Sequence, residues 1–494
     1  MTVPSKPPFD VQHAERELEH LRRSSTHVDW HSPEGSVFSL TVPPTVYPPR
    51  EDTDLLAKVV SQQAAGRGQR WLEIGTGSGA LSVYAASRGY KVTACDINPY
   101  AVASTRANLS LHGFVGEVHE GGPGPRLDGG KHQWGGHRSY DIVVWNLPYL
   151  PASEMEGERL GPMEEAALVD NDEVGLYSRF LQELRDGSLL APGALALAVV
   201  SSKKDGDTAC EQAWVQGLAA SVCAIHVFES GEELAVVKVW KPYEHSMLRV
   251  EASVSSTNEV LLNEDSNEGT SLRALVQHQG RGQRGRSWTS TEGALLASWV
   301  VGQTAGRSFG TMDQVNVGAM LTRLLRFLGN GSSETVCLKW PNDVFVKDVA
   351  HQRWQKTGGV LFEGKTQGDD TRVVLGIGIN TVHDASASFG GLDLLGLDVR
   401  PNDLHKMVHA MVASLYESAR GRSNESSLSV AVLNEEVECG VKHLGPVFYR
   451  GVMQSVEGLG KDGILVLSKP RIECDDPNEL RWSNVQIGVE HIVD

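Results

Sequence analysis

The sequence predicts an α/β protein in which two α/β regions are followed by a small β domain. Between about Trp71 and Trp240, short apolar runs alternate with helix-length segments, which is the pattern of a parallel sheet with crossover helices. A second α/β region extends from about Leu248 to Ser423, and the tail beyond Asn424 contains short strand-like runs between glycine turns. We therefore predict four segments: an N-terminal tail at 1–30, α/β domains at 31–245 and 246–425, and a β domain at 426–494.

The first α/β region is predicted to contain four strands in sequence, with a helical stretch after each of the first two. These strands are Trp71–Ile74, Lys91–Cys95, Asp141–Trp145 and Ala194–Val200. An antiparallel hairpin closes the region, with strands Ala224–Glu229 and Leu234–Trp240 around a Ser-Gly-Glu turn. The segment from Gly121 to Gly136 is too rich in glycine to form a core element, so we predict a loop there.

The composition narrows the classes of partner. The chain has 494 residues with 62 acidic and 45 basic side chains, which gives a formal net charge of −17. Such an acidic chain lacks the basic face that sequence-independent nucleic-acid binding requires, so we expect no DNA partner. No apolar run approaches the roughly 20 residues that span a bilayer. Neither the six cysteines nor the 17 histidines have metal-ligand spacing, so we expect a reduced, cytoplasmic protein with no membrane segment and no resident metal site.

The first chemical motif is a glycine loop after a predicted strand. Residues Glu73–Gly79 read Glu-Ile-Gly-Thr-Gly-Ser-Gly, in which the glycines allow a tight turn and a close approach of the backbone to a ligand. Asp96 ends the next predicted strand, where a carboxylate can accept both hydroxyl hydrogens of a ribose. The spacing differs from the GxGxxG fingerprint of NAD enzymes and resembles that of class I S-adenosylmethionine methyltransferases. The resemblance implies a cofactor site formed by Glu73, Gly75, Thr76, Gly77, Gly79, Asp96, Ile97 and Asn146.

A second motif follows the predicted strand Asp141–Trp145. Residues Asn146-Leu147-Pro148-Tyr149 resemble the (D/N)PPY motif of methyltransferases that act on a planar amide or amino nitrogen. Asn146 and the adjoining backbone carbonyl can accept the two hydrogens of an NH2 group, and this orients the nitrogen lone pair toward the methyl group. Tyr149 can pack against the planar group. The resemblance makes Asn146, Pro148 and Tyr149 the candidate catalytic residues of this half.

The residues around these motifs narrow the family. Val46–Leu56 reads VYPPREDTDLL and is similar to the VYxPxEDT/S-xLL segment of release-factor glutamine methyltransferases. Asp96–Pro99 and Thr105–Asn108 also resemble that family, which implies methylation of the glutamine amide in the GGQ loop of a peptide-chain release factor. Two features depart from it: Leu147 gives an NLPY string that also occurs in rRNA adenine dimethylases, and the glycine-rich segment replaces a short strand with an adenine-contacting acidic residue. Methylation of adenine in RNA or DNA, and a non-catalytic role in binding S-adenosylmethionine, remain alternatives.

A set of ordered motifs characterises the second α/β region. Residues Gly280–Trp288 alternate glycine with arginine, and such a loop offers backbone N–H and guanidinium groups to a phosphate. Taken alone, this loop also fits a solvated basic tether. Its neighbours are Ser256-Thr257-Asn258 upstream and, downstream, Lys339–Asp343 (KWPND), Lys356–Glu363 (KTGGVLFE) and Gly376–Asn380 (GIGIN). In this order they are similar to the STN, GRGRxGRxW, KWPND, KxxGILxE and GIGIN segments of biotin protein ligases.

This second resemblance implies that biotin and ATP, with Mg²⁺, react to form biotinyl-5′-adenylate, which a lysine of a biotin carboxyl carrier domain then attacks. Both reactants are anionic, so fixed cations are needed where negative charge accumulates. The candidate catalytic residues are Lys356, Arg281, Arg284, Arg286, Lys339 and Asp343. The candidate residues for binding biotin and ATP are Ser256, Thr257, Asn258, Gln277, Gly280, Gly282, Trp288, Asn342, Gly358 and Asn380.

The resemblance also assigns roles within this set. Lys356 would contact the biotin carboxylate and the α-phosphate, Lys339 would steady the nucleotide, and Asp343 would act through Mg²⁺ or through neighbouring side chains. Gln283 stands where the family more often has arginine, and we expect it to weaken retention of the adenylate. The tail from Leu444 resembles the small SH3-like barrel that ends many ligases. The sequence therefore predicts a bifunctional enzyme, for which a homodimer is one possible assembly.

Overall fold

The computed structural model divides the chain into two compact units, Met1–Lys241 and Pro242–Asp494. The residues that the structure describes are 24–123, 134–135, 139–148, 150–151, 169–170, 174–186, 189–283, 286, 288, 290–302, 309–368, 370–384, 389–417, 428–468 and 470–483. Tyr149, Arg284, most of the predicted N-terminal tail and most of the segment between Gly121 and Gly136 lie outside the described residues.

The first unit begins with a hairpin and continues as an alternation of strands and helices. In chain order its elements are β1 (Thr26–His31), β2 (Val37–Val42), α1 (Glu51–Ser61), β3 (Arg70–Ile74), α2 (Ala80–Ser87), β4 (Lys91–Asp96), α3 (Pro99–Leu111), β5 (Gly116–Glu120), β6 (Tyr140–Asn146), β7 (Leu150–Pro151), β8 (Val169–Asp170), α4 (Leu176–Asp186), β9 (Leu190–Ser201), α5 (Ala209–Val215), β10 (Ala219–Val227) and β11 (Glu233–Trp240).

A seven-stranded sheet organises this unit, in the order β10-β11-β9-β6-β3-β4-β5. The five strands from β9 to β5 pair in parallel, and β11 and β10 extend the sheet as the predicted antiparallel hairpin. Neighbouring residues of β3 point to opposite faces, so that Trp71 packs in a core with α1 and α2 whereas Leu72 packs in a core with Phe180 of α4. Helices therefore cover both faces of the sheet, as the alternating sequence pattern predicts.

Strand β5 corrects one sequence interpretation. The sequence interpretation was that the glycine-rich segment replaces a short strand with an adenine-contacting acidic residue. In the structure, Gly116–Glu120 forms a strand before that segment and pairs in parallel with β4. Only Val118 of β5 is buried, so this edge strand has too little apolar alternation to be recognised from its sequence. The sheet consequently has its usual edge strand, and the glycine-rich segment starts after it.

The second unit contains a seven-stranded mixed sheet in the order β12-β13-β14-β18-β17-β16-β15. Its elements are β12 (Leu248–Val254), α6 (Thr257–Asn263), β13 (Ser271–Gln277), β14 (Leu295–Gly302), α7 (Thr311–Leu328), β15 (Val336–Lys339), β16 (Asp343–Asp348), β17 (Arg353–Gln367), β18 (Asp370–Ile379) and α8 (Pro401–Tyr416). Only β12 and β13 pair in parallel, while the other neighbours are antiparallel.

A helix precedes the C-terminal strands, which the sequence interpretation had as β structure only. The elements of this C-terminal segment are α9 (Val430–Leu444), β19 (Val447–Tyr449), β20 (Val452–Leu459), β21 (Leu465–Ser468), β22 (Ile472–Cys474) and β23 (Leu480–Trp482). The strands form an antiparallel half-barrel in the order β22-β21-β20-β19-β23. Val437 of α9 and Leu465 of β21 share one apolar core with Leu338 of β15, so α9 lies between the half-barrel and the larger sheet.

Two chain-wide observations concern the environment of the protein. Among the described residues, no helix combines the length and apolar character that crossing a bilayer requires. The six cysteines all lie within the described residues, and none of them forms a disulfide.

Candidate functional sites

The glycine loop joins β3 to α2 and has a left-handed backbone at three positions. Gly75, Gly77 and Gly79 have φ angles of 64°, 53° and 82°. A Cβ atom at Gly79 would lie 2.9 Å from the Cα of Thr105, so no side chain fits there. The N–H of Gly77 donates to Oδ2 of Asp96 over 2.9 Å. The loop and Asp96 therefore meet beyond the carboxyl ends of β3 and β4, where open α/β sheets bind ligands.

Three residues of the family-like segments hold this loop in place. Thr105 donates from its hydroxyl to a loop carbonyl over 3.2 Å, and Nδ2 of Asn108 donates to the carbonyl of Ser78 over 2.8 Å. Nδ2 of Asn98 donates to the carbonyl of Thr45 over 2.8 Å and so ties the segment before α1 to the same edge. These contacts support the backbone of the glycine loop and of the segment before α1.

A pocket lies beside the loop and brings together the predicted cofactor residues other than Gly79, which does not line it. It is lined by Glu73, Gly75, Thr76, Gly77, Asp96, Ile97, Asn146 and Pro148, together with Thr45–Pro49 and Gly121–Pro123. Oδ1 of Asn146 is buried and has no hydrogen-bond partner among the described residues. A buried carbonyl oxygen without a donor is unfavourable, so this atom is suited to accept a hydrogen bond from a ligand N–H group.

Glu73 is buried at the end of β3, and Oγ of Ser82 donates a hydrogen bond to its carboxylate. Burial raises the pKa of Glu73 to about 8, and the nearby carboxylate of Asp96 adds to this effect. Burial also raises the pKa of Asp96, although backbone N–H groups of Asn98 and Gly77 donate to its carboxylate and oppose the shift. This raised pKa favours the protonated form of Glu73 at neutral pH, and a cationic ligand group would favour its ionised form.

In the second unit, a carboxylate lies between two lysines at the meeting point of three strands. Oδ1 of Asp343 is 2.7 Å from Nζ of Lys356 on β17, and Oδ2 is 3.8 Å from Nζ of Lys339 at the end of β15. Burial by itself would raise the pKa of Asp343, but the charges of Lys356, Lys339 and Arg286 outweigh burial and hold the pKa below its ordinary value. The aspartate therefore stays ionised and keeps both ammonium groups at one place.

The described residues contain no group of three His, Cys, Asp or Glu side chains that could hold a metal ion. Mg²⁺ commonly binds through one or two carboxylates together with substrate phosphates. Asp343, whose carboxylate already contacts two lysines, fits only as a single ligand to such an ion. The residues present are thus compatible with Mg²⁺ that arrives with a nucleotide.

Trp288 covers this cluster, and the glycines of two motifs make room for its ring. The ring lies 5.2 Å from Nζ of Lys356. A Cβ atom at Gly359 or Gly378 would lie 3.1 Å or 2.6 Å from the indole, and a Cβ atom at Gly358 would lie 3.2 Å from a carbonyl of β18. The glycines of KTGG and GIGIN therefore allow the tryptophan to pack directly on the backbone of β17 and β18.

The glycine–arginine loop has a narrow hairpin-like backbone. The N–H of Trp288 donates to the carbonyl of Gly280 over 2.8 Å, and the N–H of Gly282 donates to the carbonyl of Arg286 over 2.7 Å. A Cβ atom at Gly280 would lie 2.8 Å from the carbonyl oxygen of Trp288, so glycine is required for this approach. The side chain of Gln283 donates to Gln314 of α7.

The arginine side chains of the loop bond to different partners. Arg281 contacts Glu259 at 3.2 Å and Glu363 at 3.3 Å. Arg286 is exposed and donates to Asn478 of the C-terminal half-barrel. The convergence of these two guanidinium groups on phosphates, predicted from the sequence, therefore stays a prediction.

The STN segment forms the start of α6 and meets Gln277 on β13. Ser256 is the N-cap residue of α6. Oε1 of Gln277 accepts from the N–H of Thr257 over 2.8 Å and from its hydroxyl over 3.1 Å. Nδ2 of Asn258 donates to Oε2 of Glu363 over 2.7 Å. The structure thus joins Thr257 to Gln277 by hydrogen bonds and places Ser256 and Asn258 next to this pair in the chain.

Asn342 and Asn380 differ in how fully they are bonded. Nδ2 of Asn342 donates to the carbonyl of Val360 over 2.7 Å, which ties KWPND to β17. Oδ1 of Asn380 accepts from the N–H of Thr291 over 3.2 Å, whereas its buried Nδ2 has no partner among the described residues. Asn342 therefore supports the site, and Asn380 retains a donor for a ligand.

Sequence reasoning missed several residues that the structure places at the two sites. Thr45 is buried beside the first pocket, and its Oγ1 has no hydrogen-bond partner among the described residues. Glu259 and Glu363 hold Arg281, although the sequence analysis gave neither of them a role. Glu363 could have been noted from its fixed place in the KTGGVLFE motif, but Thr45 has no local sequence signal.

Comparisons with known proteins assign a family to each half. Residues 50–158 match the methyltransferase small domain, and residues 250–380 match the biotin/lipoate A/B protein ligase family. The chain therefore joins a methyltransferase domain to a biotin/lipoate ligase domain, as the two sequence resemblances predict.

Individual relatives match only one half each. The bifunctional ligase/repressor BirA of Escherichia coli is 36% identical over 26% of this chain and 38% of its own length. A putative protein N5-glutamine methyltransferase of Methanocaldococcus jannaschii is 33% identical over 24% of this chain and 55% of its own length. The ribosomal RNA small subunit methyltransferase C of Chromohalobacter salexigens is 32% identical over 24% of this chain and 35% of its own length. The chain thus spans about a third to a half of each relative, and the methyltransferase relatives have different targets.

Proposed function

We propose that this chain, which joins a methyltransferase domain to a biotin/lipoate ligase domain, is a bifunctional enzyme. Its second half biotinylates a lysine on a biotin carboxyl carrier domain by way of biotinyl-5′-adenylate. Its first half transfers a methyl group from S-adenosylmethionine, with the glutamine amide of a release-factor GGQ loop as acceptor. The absence of disulfides among the six cysteines supports a reducing compartment such as the cytoplasm.

The observation that carries the methyltransferase proposal is the buried Oδ1 of Asn146, which has no hydrogen-bond partner in the described part of the chain and lies in the same pocket as Asp96 and the glycine loop. S-adenosylmethionine, when bound, supplies an electrophilic methyl group. Asp96 is placed to accept from a ribose, and the ionised form of Glu73 suits a cationic group. Asn146 accepts one hydrogen of the acceptor amide and fixes the direction of its nitrogen lone pair, so that orientation supplies much of the rate. As the nitrogen bonds to the methyl group and the bond from methyl to sulfur breaks, the nitrogen becomes acidic and loses one of its two hydrogens to solvent as a proton.

The observation that carries the ligase proposal is the pair of lysines held on Asp343 beside Trp288. In adenylation, an oxygen of the biotin carboxylate bonds to the α-phosphorus of ATP and pyrophosphate leaves. Lys356 stabilises the negative charge at these atoms, while Asp343 fixes its ammonium group before the substrates arrive. The acceptor lysine then attacks the mixed anhydride and AMP leaves, so no covalent enzyme intermediate is required.

Methyl transfer to a release factor tests the first activity. Labelled S-adenosylmethionine is incubated with the full chain and a release factor, beside a release factor whose GGQ glutamine is replaced. Label on the intact factor alone is the expected result. Label on RNA instead would assign this half to the adenine methyltransferases, and cofactor binding without label on any acceptor would make it a non-catalytic binding module.

Biotin transfer to a carrier domain tests the second activity. The full chain is incubated with ATP, biotin and a biotin carboxyl carrier domain, and biotin on the carrier is detected with streptavidin. The matched control is the same carrier with its acceptor lysine replaced by arginine. Equal labelling of both carriers would contradict specific ligation and would indicate release of the reactive adenylate.

A further inference from the structure

Glu363 lies between the glycine–arginine loop and the STN segment of the ligase site. It lies on β17, with 23% of its side chain exposed. Its Oε1 contacts Nη1 of Arg281 at 3.3 Å, and its Oε2 accepts from Nδ2 of Asn258 over 2.7 Å. The two oxygens of one carboxylate therefore hold the glycine–arginine loop and the STN segment together.

The hydrogen bonds continue from Asn258 into the predicted biotin-binding residues. Oγ of the fully buried Ser298 lies 2.6 Å from Oδ1 of Asn258 and 2.6 Å from the hydroxyl of Thr257. Thr257 in turn bonds to Gln277. A Cβ atom at Gly376 would lie 2.4 Å from Oδ1 of Asn258, so the amide packs tightly on β18 and has no room for another position.

A second carboxylate on Arg281 provides a natural comparison. Glu259 also contacts Arg281, at 3.2 Å, but its Oε2 accepts from the hydroxyl of Ser255 over 2.9 Å. Within the described part of the chain, the side chain of Glu259 bonds to neither Asn258 nor Ser298. Both carboxylates therefore balance the charge of Arg281, and of these two Glu363 is the one bonded to the buried network.

We propose that Glu363 is a positioning residue that links the biotin-binding side chains to the nucleotide-binding Arg281. The proposal rests on the ligase function proposed above. Both contacts of Glu363 require an acceptor, because Arg281 and Asn258 each present N–H donors. A carboxylate meets both requirements, whereas an amide offers one acceptor and one donor and must leave one end unpaired. The orientation of Arg281 toward the reacting anions thus depends on the order of the biotin pocket.

The test compares Glu363→Gln with the matched control Glu259→Gln in the full chain. Biotin affinity is measured by calorimetry without ATP, and adenylation is measured as biotin-dependent exchange of pyrophosphate into ATP. In Glu363→Gln we expect the biotin dissociation constant to rise and the exchange kcat to fall, each on the order of tenfold. In Glu259→Gln the biotin dissociation constant should stay within about twofold of the wild type, because the partly exposed ion pair of Glu259 with Arg281 does not reach the biotin-binding side chains.

Ser298→Ala provides a second variant in case Glu363→Gln fails to fold. Ser298 contacts neither Arg281 nor Glu363 in the hydrogen bonds of this network, so a fall in its exchange kcat, with an unchanged melting temperature, would pass through its partners Asn258 and Thr257. Equal biotin dissociation constants for Glu363→Gln and Glu259→Gln would overturn the positioning role. A normal exchange kcat in Ser298→Ala would overturn it as well. A wild-type chain that neither binds biotin nor exchanges pyrophosphate would overturn the ligase function itself.

Discussion

At the first site, single residues are arranged to orient the methyl acceptor. They carry little charge at the point where the acceptor would lie. The amide oxygen of Asn146 is buried and lacks a partner among the described residues, while Asp96 and Glu73 lie on the cofactor side of the same pocket. An amide oxygen accepts a hydrogen bond without removing a proton, which suits an acceptor nitrogen that is a weak base. The proposed chemistry therefore depends on geometry more than on a general base.

Replacing Asn146 tests this dependence. Asn146→Ala removes the acceptor, and we expect kcat for methyl transfer to fall on the order of 100-fold because the lone pair of the acceptor nitrogen is no longer directed. Calorimetry should show that S-adenosylmethionine still binds, since the glycine loop and Asp96 remain. Retention of full methyl transfer by the variant would show that Asn146 does not orient the acceptor.

Glu73 predicts a pH dependence of stability. Burial raises its pKa to about 8 from an ordinary value of 4.5, so the folded state keeps a proton that the unfolded state releases. The stability that this group contributes is present below pH 4.5 and is lost as pH rises toward 8. Glu73→Gln still accepts from Ser82 but cannot ionise. Between pH 5 and 8.5 the melting temperature of the wild type should fall by about 2–4 °C more than that of Glu73→Gln.

This prediction is tested by the difference between two curves of melting temperature against pH. One curve is measured on the wild-type full chain and the other on the full chain with Glu73→Gln. Other groups titrate equally in both proteins and cancel in the difference. An equal fall in melting temperature for both proteins across the pH range would mean that Glu73 ionises without a loss of stability. That result would contradict the effect expected from its burial and its proximity to Asp96.

At the scale of elements, helix α8 is attached to the ligase sheet through buried histidines. Nδ1 of His409 accepts from Nε1 of Trp299 on β14 over 3.0 Å, and His405 lies 3.0 Å from the hydroxyl of Ser271 on β13. Burial lowers the pKa of His409 to about 4. Burial, together with the charges of His409 and Arg273, lowers the pKa of His405 to about 3. Both histidines are therefore neutral in the folded unit at neutral pH.

This attachment predicts acid sensitivity. The unfolded chain binds a proton at His409 near pH 6.5, whereas the folded chain does not until about pH 4, so stability is present above 6.5 and is lost as pH falls toward 4. His409→Gln keeps an acceptor for Trp299 but cannot be protonated in this range. From pH 7.5 to 4.5, the melting temperature of the wild type should fall by about 2–4 °C more than that of the variant. An equal fall in both proteins would mean that α8 does not exclude the charged form of His409.

The elements also show what sequence patterns can and cannot predict. The buried parallel strands, their helices and the closing hairpin followed from long apolar runs, since such runs have one stable arrangement in an α/β sheet. Strand β5 did not, because its edge position leaves only Val118 buried. Helix α9 was missed for a different reason: it is followed by short strands whose turns dominate the local pattern.

The residues of the candidate sites also divide into those that the sequence predicted and those that it did not. Asp96, Lys356 and Gln277 were predicted because they stand at positions that the resemblances to methyltransferases and to biotin protein ligases mark. Thr45 and the link from Glu363 to Asn258 depend on contacts between segments far apart in the chain, 53 residues for Thr45 with Asn98 and 105 for the second pair. Local patterns contain no record of such contacts, so only the folded structure reveals them.

At the scale of the whole molecule, charge favours a protein acceptor for the methyl group. A net charge of −17 repels the phosphate backbone of RNA, and an RNA methyltransferase needs a basic surface to overcome this repulsion. A release factor need not present a continuous row of negative charges. The acidic composition thus supports the glutamine acceptor over adenine, even though the NLPY string fits both.

The two units also predict separable activities on one chain. Each unit has its own apolar cores and its own candidate site, and Asn146 and Lys356 lie in different units. We expect Lys356→Ala to lower biotin transfer on the order of 100-fold or more, because it removes a cation where negative charge develops. The same variant should retain methyl transfer within about twofold, since independent sites that share no side chains behave additively. Asn146→Ala should show the opposite pattern, so each variant is the folding control of the other. Loss of both activities in either variant would show that the two sites depend on each other, and the fusion would then have a mechanistic role beyond placing two enzymes on one chain.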